Sequence, residues 1–187
     1  MITRCFVPRS PGTYLLQREQ WVPRPVDEVF AFFADATNLE AITPPWLNFC
    51  ILSPAPVAMR RGAAIVYRLR WHGLPLRWFT EIEEWEPPVR FVDVQRRGPY
   101  ALWHHTHEFA PAGSGTRLRD LVRYALPLGP LGRLTHRLVV RRNLEAIFDY
   151  RAKKVTEIFG SRGERAGEGP PAGPGDPVKA GGGDGRA

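Results

Sequence analysis

The sequence predicts an α+β domain, a curved antiparallel sheet of about seven strands wrapped around one long C-terminal helix, with two short helices after the first strand. Three observations predict it. A strand-like run from Thr13 to Val22 precedes a helical segment that begins near Pro25. Six short runs separated by Gly/Pro turns then fill Leu47 to Leu126, and one amphipathic stretch reaches Phe159. In such an arrangement the concave sheet face and the long helix enclose a space, so the side chains pointing into it decide what the protein binds.

The first strand is ended by Pro23 and Pro25, which also preset the backbone for the turn into a helix. Asp27 and Glu28 fall in the first helical turn, where carboxylates meet the positive end of the helix dipole. Val26, Val29, Phe30 and Phe33 recur at i, i+3, i+4 and i+7 and give that helix one apolar face. Asp35 to Ala41 forms a second short helical turn before Pro44 and Pro45 stop it.

Turn clusters at Met59 to Gly62, His72 to Pro75, Glu86 to Pro88, Arg97 to Tyr100 and Pro111 to Gly115 divide the following segment into a meander. Alternation is clearest in the last strand. Leu118, Asp120, Val122, Tyr124 and Leu126 share the inward face, and Arg117, Arg119 and Arg123 share the outward one. After Pro127-Leu128-Gly129-Pro130, the final helix carries an apolar stripe of Leu144, Ile147, Phe148, Val155, Ile158 and Phe159. Earlier in that helix the apolar face rotates toward Leu131, Leu134 and Leu138, beside a row of Arg133, Arg137 and Arg141. This shift predicts a bend or a separate leading segment over the cavity mouth.

Composition bounds the rest. The chain of 187 residues, 43% apolar and 11% aromatic, suits one domain with one core. We divide it into an N-terminal extension at 1–12, a ligand-binding domain at 13–160 and a disordered tail at 161–187. The tail holds nine Gly and four Pro in 27 residues and no aromatic residue, too little apolar surface to order itself. Its four basic and four acidic residues cancel, so the net charge of +7 belongs to residues 1–160. Arg and Lys do not alternate with aromatic residues as single-strand binders require, and nucleic acid is not an expected partner. Cys5 and Cys50 have neither metal-knuckle nor redox spacing and read as free thiols. With no signal-like run at the start and no stretch near the ~18 apolar residues of a membrane span, a cytoplasmic location is expected.

Several motifs resemble the START-related helix-grip, or SRPBCC, superfamily over residues 13 to about 160. Pro25-Val26-Asp27-Glu28-Val29-Phe30-Ala31-Phe32-Phe33-Ala34-Asp35 looks like its first-helix entry. Gly98-Pro99-Tyr100, Trp103-His104-His105-Thr106-His107-Glu108-Phe109, Gly115-Thr116 to Asp120, Leu126 to Gly132 and Ile147-Phe148-Asp149-Tyr150-Arg151 are similar to a bacterial subgroup of ligand-binding members. The resemblance implies a deep apolar cavity under the last helix. Across the superfamily such cavities serve carriers, sensors, ubiquinone-binding proteins and polyketide cyclases, and fold alone does not choose among them. No shared catalytic set carries over.

The residues themselves nominate a ligand site of Tyr67, Trp78, Phe91, Gln95, Trp103, His105, His107, Asp120 and Tyr124. The aromatic members are taken from alternation along their strands, and a one-residue slip would exchange their faces. Asp93 and Gln95, His105 and His107, and Asp120 and Tyr124 fall on three successive strands, so their polar groups can converge. Such a cluster could fix the polar end of an apolar ligand. It could also do acid–base work, with His105 or His107 as the proton-transfer group and Asp120 or Asp93 orienting it. The plainer alternative is a network that satisfies itself and fixes the register of the sheet.

Two imidazoles on one face can begin a metal site, yet a third ligand such as Asp93 or Asp120 must converge from another strand. Hydrogen-bonded buried histidines are the expectation, and neither metal nor cofactor is assigned. The leading reading is a carrier or sensor of a small hydrophobic or amphipathic molecule. A cyclase or dehydratase is one alternative. A lipid carrier that touches an anionic membrane transiently through Arg133, Arg137, Arg141, Arg142, Lys153 and Lys154 is the other.

Overall fold

The computed structural model describes residues 3–10, 12–54 and 56–166, with side chains over 12–54 and 56–160. Strands β1 (Thr3–Ser10) and β2 (Thr13–Val22) lead into helix α1 (Val26–Ala34) and two 3-10 turns, Ala36–Leu39 and Pro45–Leu47. A meander follows: β3 (Cys50–Ile51), β4 (Ala64–Trp71), β5 (Leu74–Glu86), β6 (Arg90–Arg97), β7 (Leu102–Ala112) and β8 (Gly115–Ala125). Helix α2 (Gly129–Thr135), a π-helical segment (His136–Val140) and helix α3 (Arg141–Ala166) close the chain.

All strands join one antiparallel sheet in the order β1-β2-β8-β7-β6-β5-β4-β3. Strands β2 to β8 are the seven predicted. Strand β1 is additional and lies in the segment read as an extension, paired along β2 with Phe6 opposite Leu16. The Gly/Pro-rich stretch predicted to be a tail lies outside the described residues beyond 166, while α3 itself continues past the expected boundary at 160. Cys50 is a free thiol, and the side chain of Cys5 lies outside the described residues.

Local chemistry accounts for these elements. Helix α1 follows Pro25, carries Asp27 and Glu28 in its first turn, and buries Val29, Phe30 and Phe33. Asp35 caps the next turn by accepting from the Thr37 amide at 2.9 Å. The tight β4–β5 hairpin turns through His72 and Gly73, both at positive φ (48° and 85°), the pattern that matches strand twist in a two-residue loop. Along β8 the predicted alternation holds: Leu118, Asp120, Val122 and Tyr124 are buried, whereas Arg117 and Arg123 are exposed.

The core has two parts on the concave side. One joins Phe30 and Phe33 of α1 to Phe91, Phe109, Leu118 and Phe159. The other joins Leu16, Val122 and Tyr124 of the sheet to Val140, Leu144 and Phe148 of the closing helix. A buried polar clasp fixes α3 on β2, because Gln20 Nε2 donates to the Ala152 carbonyl (3.0 Å) and to Thr156 Oγ1 (2.9 Å). The predicted change of helical face is present as a leading segment, with α2 and the π-helical turn preceding α3. Gly132 lets α2 sit against the exit of β8, since a Cβ there would collide with the Pro127 carbonyl.

Candidate functional site

Between the two parts of the core lies a cavity of about 470 Å³. Its sheet wall includes Tyr67, Trp78, Phe91 and Trp103, and its helical wall includes Leu144, Ile147, Phe148 and Arg151. Leu128 and Leu131 stand at the α2 side. The aromatic wall is continuous: Tyr67 stacks on Trp78 with centroids 5.8 Å apart, and Trp78 meets Trp103 edge-on at 5.1 Å. Thr80 donates to the Tyr67 hydroxyl at 3.3 Å. Burial, reinforced by the Asp93 charge, pushes that phenol up from its ordinary pKa, so Tyr67 stays protonated.

The polar part of the wall comes from register. Asp93 of β6 pairs opposite His105 of β7, and His107 of β7 pairs opposite Asp120 of β8. The two imidazoles are thereby held between two carboxylates, with ring centroids 3.8 Å apart. His105 Nε2 lies 3.0 Å from Asp120 Oδ1, and His107 Nε2 lies 2.9 Å from Asp93 Oδ2. The other nitrogens also face carboxylates: His105 Nδ1 is 3.4 Å from Asp93 Oδ2, and His107 Nδ1 is 3.0 Å from Asp120 Oδ1. That last contact is close but lacks the alignment of a hydrogen bond. The histidine side chains are only 5% and 4% exposed, Asp120 is 9% exposed, and Asp93 is 17% exposed on the cavity side.

This packing separates the two imidazoles electrostatically. Burial, together with the neighbouring His107 charge, pulls His105 down to about 4 despite its carboxylate partners. Burial also opposes charge on His107, but the neighbouring carboxylates of Asp120 and Asp93 outweigh it and raise that ring. For Asp93, burial is overcome by the two histidines. For Asp120 it is overcome by the Arg151 charge and by both imidazoles, which hold the carboxyl well below its usual range. Two carboxylates, the proton favoured on His107 and the Arg151 guanidinium together balance the buried charge.

Of the residues predicted for the site, Tyr67, Trp78, Phe91, Trp103, His105 and His107 line the cavity, as does Asp93. Gln95, Asp120 and Tyr124 are not among the lining residues. Gln95 closes the β6–β7 connection by donating to the Tyr100 carbonyl (2.7 Å) and accepting from its amide (3.3 Å). Asp120 sits behind the histidines. The Tyr124 hydroxyl is 2.9 Å from His136 Nε2, and that imidazole stacks on Tyr14 with centroids 3.4 Å apart. Inward alternation identified Tyr124 as buried, but the π-helical turn covers it.

Sequence reasoning missed Arg151, Tyr100 and Thr80 as wall residues. Arg151 had a signal: with Leu144, Ile147 and Phe148 it completes an i, i+3, i+4, i+7 stripe. Its guanidinium lies over the Phe33 ring at 5.2 Å, and Nε is buried without a hydrogen-bond partner among the described residues. The same holds for Trp78 Nε1. Asp93, His105 and His107 each offer a ligand atom, and these atoms lie within 4.8 Å of one another.

Solved structures share the architecture. Protein Ms6760 from Mycobacterium smegmatis is 14% identical with a TM-score of 0.63, covering 87% of this chain and 99% of its own. CV1439 from Chromobacterium violaceum is 16% identical with a TM-score of 0.61, over 80% of this chain and 98% of its own. TTHA0849 from Thermus thermophilus is 22% identical with a TM-score of 0.56, over 77% and 98%. At these identities the likeness establishes the fold alone. No curated protein matches. The family described as polyketide cyclase / dehydrase and lipid transport matches residues 22–148, most of the sheet and the start of α3, and the chain belongs to that family.

Proposed function

We propose that the domain at 13–160 binds a small hydrophobic or amphipathic molecule in this cavity, as a carrier or sensor. The observation that supports this best is the combination of about 470 Å³ of space with a mostly aromatic and aliphatic wall whose ionisable acid, imidazole and guanidinium groups are Asp93, His105, His107 and Arg151. Asp93, His105, His107 and Arg151 meet the polar end of the ligand. Asp120 acts on it through the imidazoles. Trp78 Nε1 and Arg151 Nε are buried donors without protein acceptors among the described residues, which favours a ligand whose polar end carries acceptor oxygens. Titration of the full chain with 1-anilinonaphthalene-8-sulfonate, followed by the rise in probe fluorescence, tests the reading. Saturable binding with about one probe per chain is expected; a linear, non-saturating response contradicts it.

One observation favours a second reading, an acid–base enzyme of cyclase or dehydratase type. His105 is held neutral and His107 favours its proton although the rings nearly touch, and groups pushed apart in this way suit acid and base roles. Replacing either imidazole then abolishes turnover while leaving probe affinity nearly unchanged. The surface around the cavity entrance supports a route of loading. Leu128, Leu131, Leu134 and Leu138 are 52–73% exposed beside exposed Arg133, Arg137 and Arg142, a combination suited to transient contact with anionic lipid. No helix among the described residues is long and apolar enough to cross a membrane.

A further inference from the structure

We propose that Asp93, His105 and His107 form a binding site for a divalent first-row transition metal, with Asp120 as the positioning residue behind both imidazoles. Asp120 is a buried acceptor 3.0 Å from His105 Nε2, so it takes the N–H of a neutral His105 and leaves the lone pair on Nδ1. That lone pair faces Asp93 Oδ2 at 3.4 Å. A neutral imidazole nitrogen and a carboxylate oxygen at that separation can share a cation.

His107 brings its Nε2 to the same oxygen, 2.9 Å away. Two nitrogens from one strand and one oxygen from the next therefore converge on a common point. A tetrahedral ion with bonds of about 2.0–2.1 Å to nitrogen and oxygen has ligand–ligand edges of about 3.3 Å. The two nitrogen–oxygen edges, 2.9 and 3.4 Å, bracket that value, and all three ligand atoms lie within 4.8 Å of one another. Behind the rings, His105 Nε2 and His107 Nδ1 both lie 3.0 Å from Asp120 Oδ1. For His105 this is the carboxylate–histidine relay that fixes the tautomer and ring orientation of a metal-binding imidazole; for His107 the carboxylate is a neighbouring charge.

The two-nitrogen, one-oxygen donor set suits zinc, iron or cobalt better than magnesium or calcium, which prefer oxygen ligands. Arg151 opposes a cation here, and the ion must take the place of the proton on His107 Nε2; with that proton released, two carboxylates face one guanidinium. All three ligands line the cavity and Asp120 does not, so the remaining coordination positions open toward bound molecules. The site is independent of whether an organic ligand binds, and the metal alone serves as the probe.

The test uses untagged full-length protein stripped with a chelator and titrated with cobalt chloride, then with zinc chloride. Expected are visible bands of nitrogen- and oxygen-coordinated cobalt that saturate at about one equivalent, bleaching of those bands by zinc, and a higher melting temperature with zinc. Asp93→Asn and His105→Gln lower affinity at least about 100-fold, and Asp120→Asn lowers it about 10–100-fold without changing the stoichiometry. Absence of saturable coordinated cobalt in the wild-type protein overturns the proposal, whether or not any variant folds. So does wild-type affinity in a folded Asp93→Asn protein. A wild-type protein that takes up no metal yet still binds 1-anilinonaphthalene-8-sulfonate would sink the metal site and leave the carrier reading standing.

Discussion

Asp120 and His105 are joined across 3.0 Å by a bond buried beneath the cavity wall, and the same Asp120 oxygen lies 3.0 Å from His107. One carboxylate thus orients His105 and lies against His107, and both imidazoles face the ligand space. Its removal leaves His105 Nε2 buried without its acceptor and takes one of two carboxylates from the favoured His107 proton. Asp120→Ala is predicted to destabilise the protein by about 3–5 kcal/mol, as in other broken buried pairs, with a smaller loss for Asp120→Asn. Urea unfolding measures this. A loss below about 0.5 kcal/mol, the range of ordinary surface substitutions, would contradict the described network.

Filling the cavity should separate binding from folding. Leu69 lines the sheet wall, and Leu69→Trp adds volume where space exists. A cost of at most about 1–3 kcal/mol is predicted, with loss of saturable 1-anilinonaphthalene-8-sulfonate binding. Unchanged affinity in the folded variant would place the probe elsewhere.

The close approach of α2 depends on Gly132. Gly132→Ala drives a Cβ into the Pro127 carbonyl and is predicted to cost about 1–3 kcal/mol while increasing hydrogen exchange in α2 and the π-helical segment. Wild-type exchange there would show that the leading segment tolerates displacement.

His136 supplies a pH dependence. Burial and then the Arg141 charge lower its pKa; Tyr14 stacks on the ring and the Tyr124 hydroxyl contacts Nε2. The unfolded chain therefore binds this proton first, near the ordinary value of about 6.5, so His136 contributes stability above that pH which is lost as pH falls toward the depressed folded value. The stability difference between wild type and His136→Phe should shrink between about pH 8 and about pH 5. Chemical denaturation at a series of pH values measures it, and a flat difference counts against the assignment.

Period-2 and period-3.6 patterns made the strand order, the α1 face and the inward set of β8 legible. They also brought Asp93, His105, His107 and Asp120 together, because neighbouring antiparallel strands share a face at matching heights. Four features were not legible. Strand β1 has Pro8 and charged residues and pairs only by lying on the edge of β2. Gln95 shares the strand face of Asp93, but the β6–β7 turn captures its amide group. Tyr124 is inward, yet its cover comes from His136, whose position depends on a π-helical turn that no periodicity announces. Arg151 went unassigned because a cation in an apolar stripe resembles a surface residue until the cavity beneath it is seen.

Native mass spectrometry of the full chain purified from its own host, with denaturing extraction of any bound molecule, tests the central claim most directly. A stoichiometric hydrophobic or amphipathic adduct is expected, absent from the Leu69→Trp variant. An adduct equally abundant in the folded Leu69→Trp variant, or an unliganded wild-type mass together with non-saturating 1-anilinonaphthalene-8-sulfonate binding, would contradict it.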